Sequence, residues 1–66
     1  MNVNYNIKIL DLSVRYDKCW EYLPNLNLNE LKKLDLRSNN ISDISFLEKV
    51  KFEKLEKLNL SYNNNI

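Results

Sequence analysis

Apolar and polar positions along this chain recur at one fixed interval, the step from Leu10 to Leu34 and from Leu34 to Leu58. Leu31, Leu34, Leu36 and Ile41 occupy the pattern L-x-x-L-x-L-x-x-N-x-I, with Asn39 at the amide place. Leu55, Leu58, Leu60 and Asn63 stand one interval later, and Ile7, Leu10 and Leu12 stand one interval earlier. Leu34-Asp35-Leu36 alternates apolar and polar side chains, which predicts a short strand with one buried face. Between these strands, Trp20, Leu23, Leu26 and Leu28 match Ile44, Leu47, Val50 and Phe52. Ile44, Leu47 and Val50 fall three apart, which suits one side of a short helix or 3₁₀ segment. Ser45 and Glu48 have the S-x-x-E form of a capping box, which predicts a helical start near Phe46. In the earlier copy Glu21 and Pro24 take those places. Pro24 has no N–H to donate, so that segment is expected to be shorter or more irregular. The two helical segments are expected at about residues 21–26 and 45–51.

Self-similarity at a fixed period of this length is the mark of a solenoid. The three strand segments in register, two of them followed by the asparagine, resemble the leucine-rich repeat family over about residues 7–66. The resemblance implies an α/β fold: a short right-handed solenoid with a parallel, concave β-sheet on one side and short α or 3₁₀ helices on the convex side. It divides the chain into repeats at about 7–30 and 31–54 and a half repeat at 55–66, within one domain or a fragment of a longer array. It also implies that Asn39 and Asn63 form a ladder, hydrogen-bonding the backbone of adjacent turns. An amide suits that work because it both donates and accepts, and a tight corner leaves backbone groups in need of partners. Arg15 stands at the matching place in the first repeat and cannot accept, so the ladder is expected to stop between the first and second repeats. Asn65 stands where an apolar residue is expected, and Ile66 comes one place late. Residues 1–6 alternate Val3 and Tyr5 with asparagines, which fits either a cover over the open first turn or a frayed end.

Composition narrows the chemistry. With 66 residues the chain is one domain at most. Charged residues make up 29% of it and the net charge is +1, which gives no strong pull toward nucleic acid or an anionic membrane. One cysteine allows no internal disulfide, no apolar run reaches the length of a membrane span, and the start lacks the pattern of a signal peptide. A soluble cytoplasmic protein without cofactor is therefore expected. The absence of glycine rules out a glycine-cradled phosphate loop, and the absence of histidine removes the commonest general base and metal ligand.

Residues alternating with the leucines are expected to point outward and form columns across the sheet. Ile9, Lys33 and Lys57 make one column, Asp11, Asp35 and Asn59 the next, and Ser13, Arg37 and Ser61 the third, with Ser38 and Tyr62 at the edge. Diagonal pairing of Lys33 and Lys57 with Asp35 is expected to balance the charges. The resemblance implies that this face binds a protein or peptide; the plainer reading is a set of solvated charges of mixed sign. Asp11 and Asp35 on adjacent strands suggest carboxylate chemistry or a cation site. A cation site needs about six oxygens, and no loop here builds a pocket, so neither catalytic nor metal-binding residues are assigned.

Tyr22 and Phe46 also lie one interval apart, and as a stacked aromatic pair on the convex side they are expected to pack locally, with contact to a partner as the other reading. Trp20 is expected in the core, and Cys19, at the place of Asp43, as an unactivated surface thiol. The sequence thus predicts a non-enzymatic protein-interaction module, with self-association through exposed terminal repeats as the other reading. The partner is expected to be a protein or peptide, not nucleic acid or a membrane.

Overall fold

A computed structural model describes residues 7–15 and 17–63. The proposed roles of Val3, Tyr5, Asn65 and Ile66 lie outside the described residues.

Strand β1 spans Ile9–Asp11, β2 spans Lys33–Asp35 and β3 spans Lys57–Asn59. They form a parallel sheet in the order β1-β2-β3. Leu10 pairs with Leu34, and Leu34 with Leu58, so the apolar places that recur in sequence stack in space. Backbone bonds follow the same interval. Leu12 N–H donates to Asp35 O at 2.9 Å, and Leu36 N–H donates to Asn59 O at 2.8 Å. Parallel strands require a crossover of a dozen or more residues, and each coil supplies one.

Both crossovers contain a 3₁₀ segment: η1 over Cys19–Asn25 and η2 over Ser45–Lys49. They pack against each other and carry leucines onto the sheet. Their closing turns are in register, with Leu26 N–H donating to Leu23 O and Val50 N–H donating to Leu47 O. Their starts are not. Cys19 opens η1 at the repeat place that Asp43 holds in the next coil, whereas η2 opens only at Ser45. The segment holding Pro24 is therefore the longer one, contrary to the expectation from proline. A 3₁₀ segment is a chain of separate i to i+3 turns, so the missing N–H of Pro24 removes one link and leaves Glu21 N–H to Lys18 O and Leu26 N–H to Leu23 O in place.

The expected capping box does not form. Ile44 precedes η2 and no side chain caps it. The Ser45 N–H instead donates to Asp43 Oδ1 at 2.9 Å, a local turn that needs only an aspartate two residues earlier.

The core is centred on the second coil. Leu23, Leu28, Leu31, Leu34, Leu36, Ile41 and Val50 are buried, and Leu10, Leu12, Leu47, Leu55 and Leu60 pack around them half-buried. Within one column, Leu34 is 2% exposed and Leu58 is 41% exposed. The reason is position: β2 has a strand on either side, whereas β3 is the last strand of the sheet among the described residues. Trp20, expected in the core, is half-buried against it, whereas Ile44, its match one repeat on, is exposed. The Trp20 ring meets Phe46, with centroids 4.8 Å apart and planes tilted by 41°. Tyr22, expected to be that partner, is exposed. The offset between the starts of η1 and η2 is the cause: Trp20 and Phe46 are each the second residue of their segment.

Candidate functional site

The asparagine corner fixes the end of each strand. Asn39 is 2% exposed, so its polar atoms need protein partners. Its Oδ1 accepts the Arg15 N–H at 2.9 Å, and its Nδ2 donates to Leu12 O at 2.8 Å and Arg37 O at 3.1 Å. Asn63 does the same one coil on. Its Oδ1 accepts from Asn39 N–H and Ile41 N–H, and its Nδ2 donates to Leu36 O and Leu60 O. Each amide serves the coil before its own. The ladder therefore reaches the first coil through Asn39, one coil further than Arg15 suggested, because what Arg15 supplies is its backbone N–H.

Beside that corner runs a second series. Asp11 Oδ1 accepts from Ser13 N–H, Asp35 Oδ1 from Arg37 N–H, and Asn59 Oδ1 from Ser61 N–H, at 2.9, 3.1 and 2.9 Å. Short acceptor side chains two residues ahead of an N–H stabilise such turns. The residue after each turn is left-handed: Val14 at φ 55°, Ser38 at 56° and Tyr62 at 59°. Glycine is the usual occupant of that region, and this chain has none. For Val14 the branched Cβ makes the conformation costly.

These two series define the outward face of the sheet. Ile9, Lys33 and Lys57 lie in pairing register, as do Asp11, Asp35 and Asn59. Ser13, Arg37 and Ser61 follow at the turns, and Tyr62, 84% exposed, stands at the edge. A cavity of about 670 Å³ lies over the face, lined by members of all three columns and by Glu56. Glu56 was not singled out from the sequence because Lys8 and Lys32 hold the equivalent places.

Electrostatics on this face differ from the expected diagonal. Asp35 pairs with Arg37, whose Nε lies 3.1 and 3.2 Å from its two oxygens. Neither Lys33 nor Lys57 makes an ion pair among the described residues. Asp11 is held by Ser13, whose hydroxyl donates at 2.6 Å. That bond and the Ser13 N–H set its carboxyl below the usual carboxylate range, helped by the charges of Arg37 and Arg15. Both acidic side chains thus serve their own turns, and no cluster fit to hold a metal ion occurs among the described residues. A pair that sequence reasoning passed over, Lys54 to Glu30 at 2.7 Å, also spans one repeat. Opposite charges one repeat apart were the available sign.

Cys19 is half-buried, not the surface thiol expected. Burial, with Asp17 beside it, pushes its pKa up, so it is a poor nucleophile. Among the described residues no helix is long and apolar enough to cross a membrane.

The family model for leucine-rich repeats in two copies matches residues 29–66, more than half of the chain. The chain belongs to the leucine-rich repeat family. The leucine-rich repeat solenoid explains the in-register leucines, the asparagine ladder and the parallel sheet together. Leucine-rich repeats serve generally as protein-interaction modules and are typically not enzymes. No curated protein and no solved structure matches the chain.

Proposed function

We propose that this protein is a cytoplasmic, non-enzymatic interaction module that takes a protein or peptide on the outward face of its sheet. The observation that supports this is the open face itself. Its three columns stand in register, a cavity of about 670 Å³ lies over them, and Ile9 at its border is 65% exposed. Regular strands hold these side chains in fixed relation, and their turns are tied down by Asp11, Asp35 and Asn59. Rigid elements are what a binding surface requires.

The test is a selection from a random-peptide library against the intact chain. Binders should be lost on Ile9→Asp and Ser61→Arg, both on the face. They should be kept on Tyr22→Asp, which is exposed in η1. A set of binders indifferent to the two face variants would overturn the reading.

A second reading, self-association along β3, is favoured by one observation: Leu58 is 41% exposed at the last strand of the sheet. Edge strands are templates for pairing with another chain. Light scattering over a range of concentrations separates the two. A mass that doubles with concentration in the intact chain, and stays monomeric in Leu58→Lys, supports association. A constant monomer mass removes it.

A further inference from the structure

Charges on the outward face are segregated along the strand direction. At the carboxyl ends of the strands they compensate locally, Asp35 with Arg37 and Asp11 near Arg37 and Arg15. At the amino ends they do not. Lys33 and Lys57 are register partners, both exposed and without an ion pair among the described residues. Lys8 and Lys32 lie just before β1 and β2, near Glu30, whose carboxylate is taken by Lys54. Among the residues lining the cavity at this end, Lys33 and Lys57 stand against Glu56 alone. The first member of the same column is Ile9, apolar and largely exposed. A cationic strip ending in an apolar side chain, set on a rigid sheet, has a specific complement.

We propose that the Ile9–Lys33–Lys57 column seats an extended acidic peptide segment, with two peptide carboxylates on Lys33 and Lys57 and an apolar side chain on Ile9. This rests on the outward face being the binding face and names what it takes. Adjacent strands are about 4.8 Å apart, whereas same-side residues of an extended peptide recur at about 6.6 Å. The flexible lysine stems span that difference. The matching pattern is therefore an apolar residue, then acidic residues at the second and fourth places beyond it. Beside the column Asp35 is paired with Arg37 and Asp11 lies near Arg37 and Arg15, so the charges left to set the line of the peptide are those of Lys33 and Lys57.

The experiment is fluorescence anisotropy on the intact chain with three labelled peptides. They share a leucine and carry glutamate, glutamine or lysine at the second and fourth places after it. A single-stranded oligonucleotide of equal charge is the fourth probe. The glutamate peptide is expected to bind about tenfold tighter than the glutamine peptide, with an advantage that shrinks as salt rises. Lys33→Glu with Lys57→Glu should abolish that advantage, and Lys49→Glu with Lys51→Glu should leave it. Circular dichroism checks that all variants stay folded. Equal binding of the oligonucleotide would mean indiscriminate attraction to polyanions and overturn the proposal. An advantage unmoved by the Lys33 and Lys57 changes, or the absence of binding by the glutamate peptide, overturns it as well. If glutamate and glutamine peptides bind alike and Ile9→Asp abolishes both, the charge inference falls while the binding face stands. If peptide binding ignores every face variant, both fall.

Discussion

The side-chain oxygen of Asn39 accepts the backbone N–H of Arg15 at 2.9 Å, one repeat away in sequence, while its amide nitrogen donates to Leu12 O at 2.8 Å. One side chain thus satisfies a donor and an acceptor on the neighbouring coil. Asn39→Ala leaves both without a protein partner in a part-buried corner, at a cost of up to about 1–3 kcal/mol for each group that water does not reach. For a chain of this size such a loss approaches the whole stability, about 3–5 kcal/mol. Urea denaturation followed by circular dichroism should find Asn39→Ala largely unfolded in buffer. Asn39→Asp keeps the acceptor, loses the donor and buries a charge, and should do no better. A fully folded alanine variant would refute the structural role given to the ladder.

Position in a column should grade the cost of truncation. Leu34→Ala removes a buried side chain and is expected to cost about 2–5 kcal/mol. Leu58→Ala, partly exposed already, should cost about half as much or less. Measured against each other in urea, equal losses would mean that Leu58 is covered in solution, which would favour association along β3.

Val14 offers a stabilising change. It is exposed and left-handed at φ 55°, so a branched side chain is held there at a cost of about 1–2 kcal/mol. Glycine relieves that cost but adds about 0.5–1 kcal/mol of unfolded-state entropy. Val14→Gly should therefore be neutral or stabilising by up to about 1 kcal/mol, and Val14→Asn should match it. A lower urea midpoint for both variants would contradict the strain argument.

The acid limb of the stability curve has an assigned origin. Asp11 is lowered from 3.8 by Ser13, Asp43 from 3.8 by Ser45, and Glu30 from 4.5 by Lys54. A depressed carboxyl binds its proton less readily when folded. Its contribution is complete above the unfolded value and is lost as pH falls through the folded one. Stability should therefore decline below about pH 4.5. Lys54 is raised from 10.5 by Glu30, so its contribution is complete below that value and fades as pH rises through the folded one. Proton titration by NMR should show Asp11 moving up toward 3.8 in Ser13→Ala and Glu30 moving up toward 4.5 in Lys54→Ala. Titrations unchanged by these substitutions would remove the assignment.

How much of this was legible beforehand depended on whether residue type alone carries the role. Leu10, Leu34 and Leu58 declare a stacked column because an apolar side chain has one stable destination, and their interval says which residues meet. Asn39 and Asn63 likewise declare a corner that needs both donor and acceptor. Which coil each amide serves was not legible, since that depends on the backbone groups exposed by the turn and not on the side chain at Arg15. The left-handed corners at Val14, Ser38 and Tyr62 were hidden because glycine, the usual sign, is absent. The aromatic partner of Phe46 was misplaced because the repeat interval does not hold at the start of a 3₁₀ segment, where turns shorten or lengthen independently. On the outward face, Asp35 was matched with lysines by proximity across strands. A guanidinium two residues on, whose Nε reaches both carboxylate oxygens, proved the better partner.

The uniform interval of the backbone bonds, Leu12 to Asp35 and Leu36 to Asn59, carries a kinetic consequence. Closing any one turn brings together segments the same distance apart along the chain, so every step of assembly faces a similar entropic barrier. Growth should start wherever the middle turn first forms and spread to its neighbours like a zipper, with the flanking turns opening first on warming.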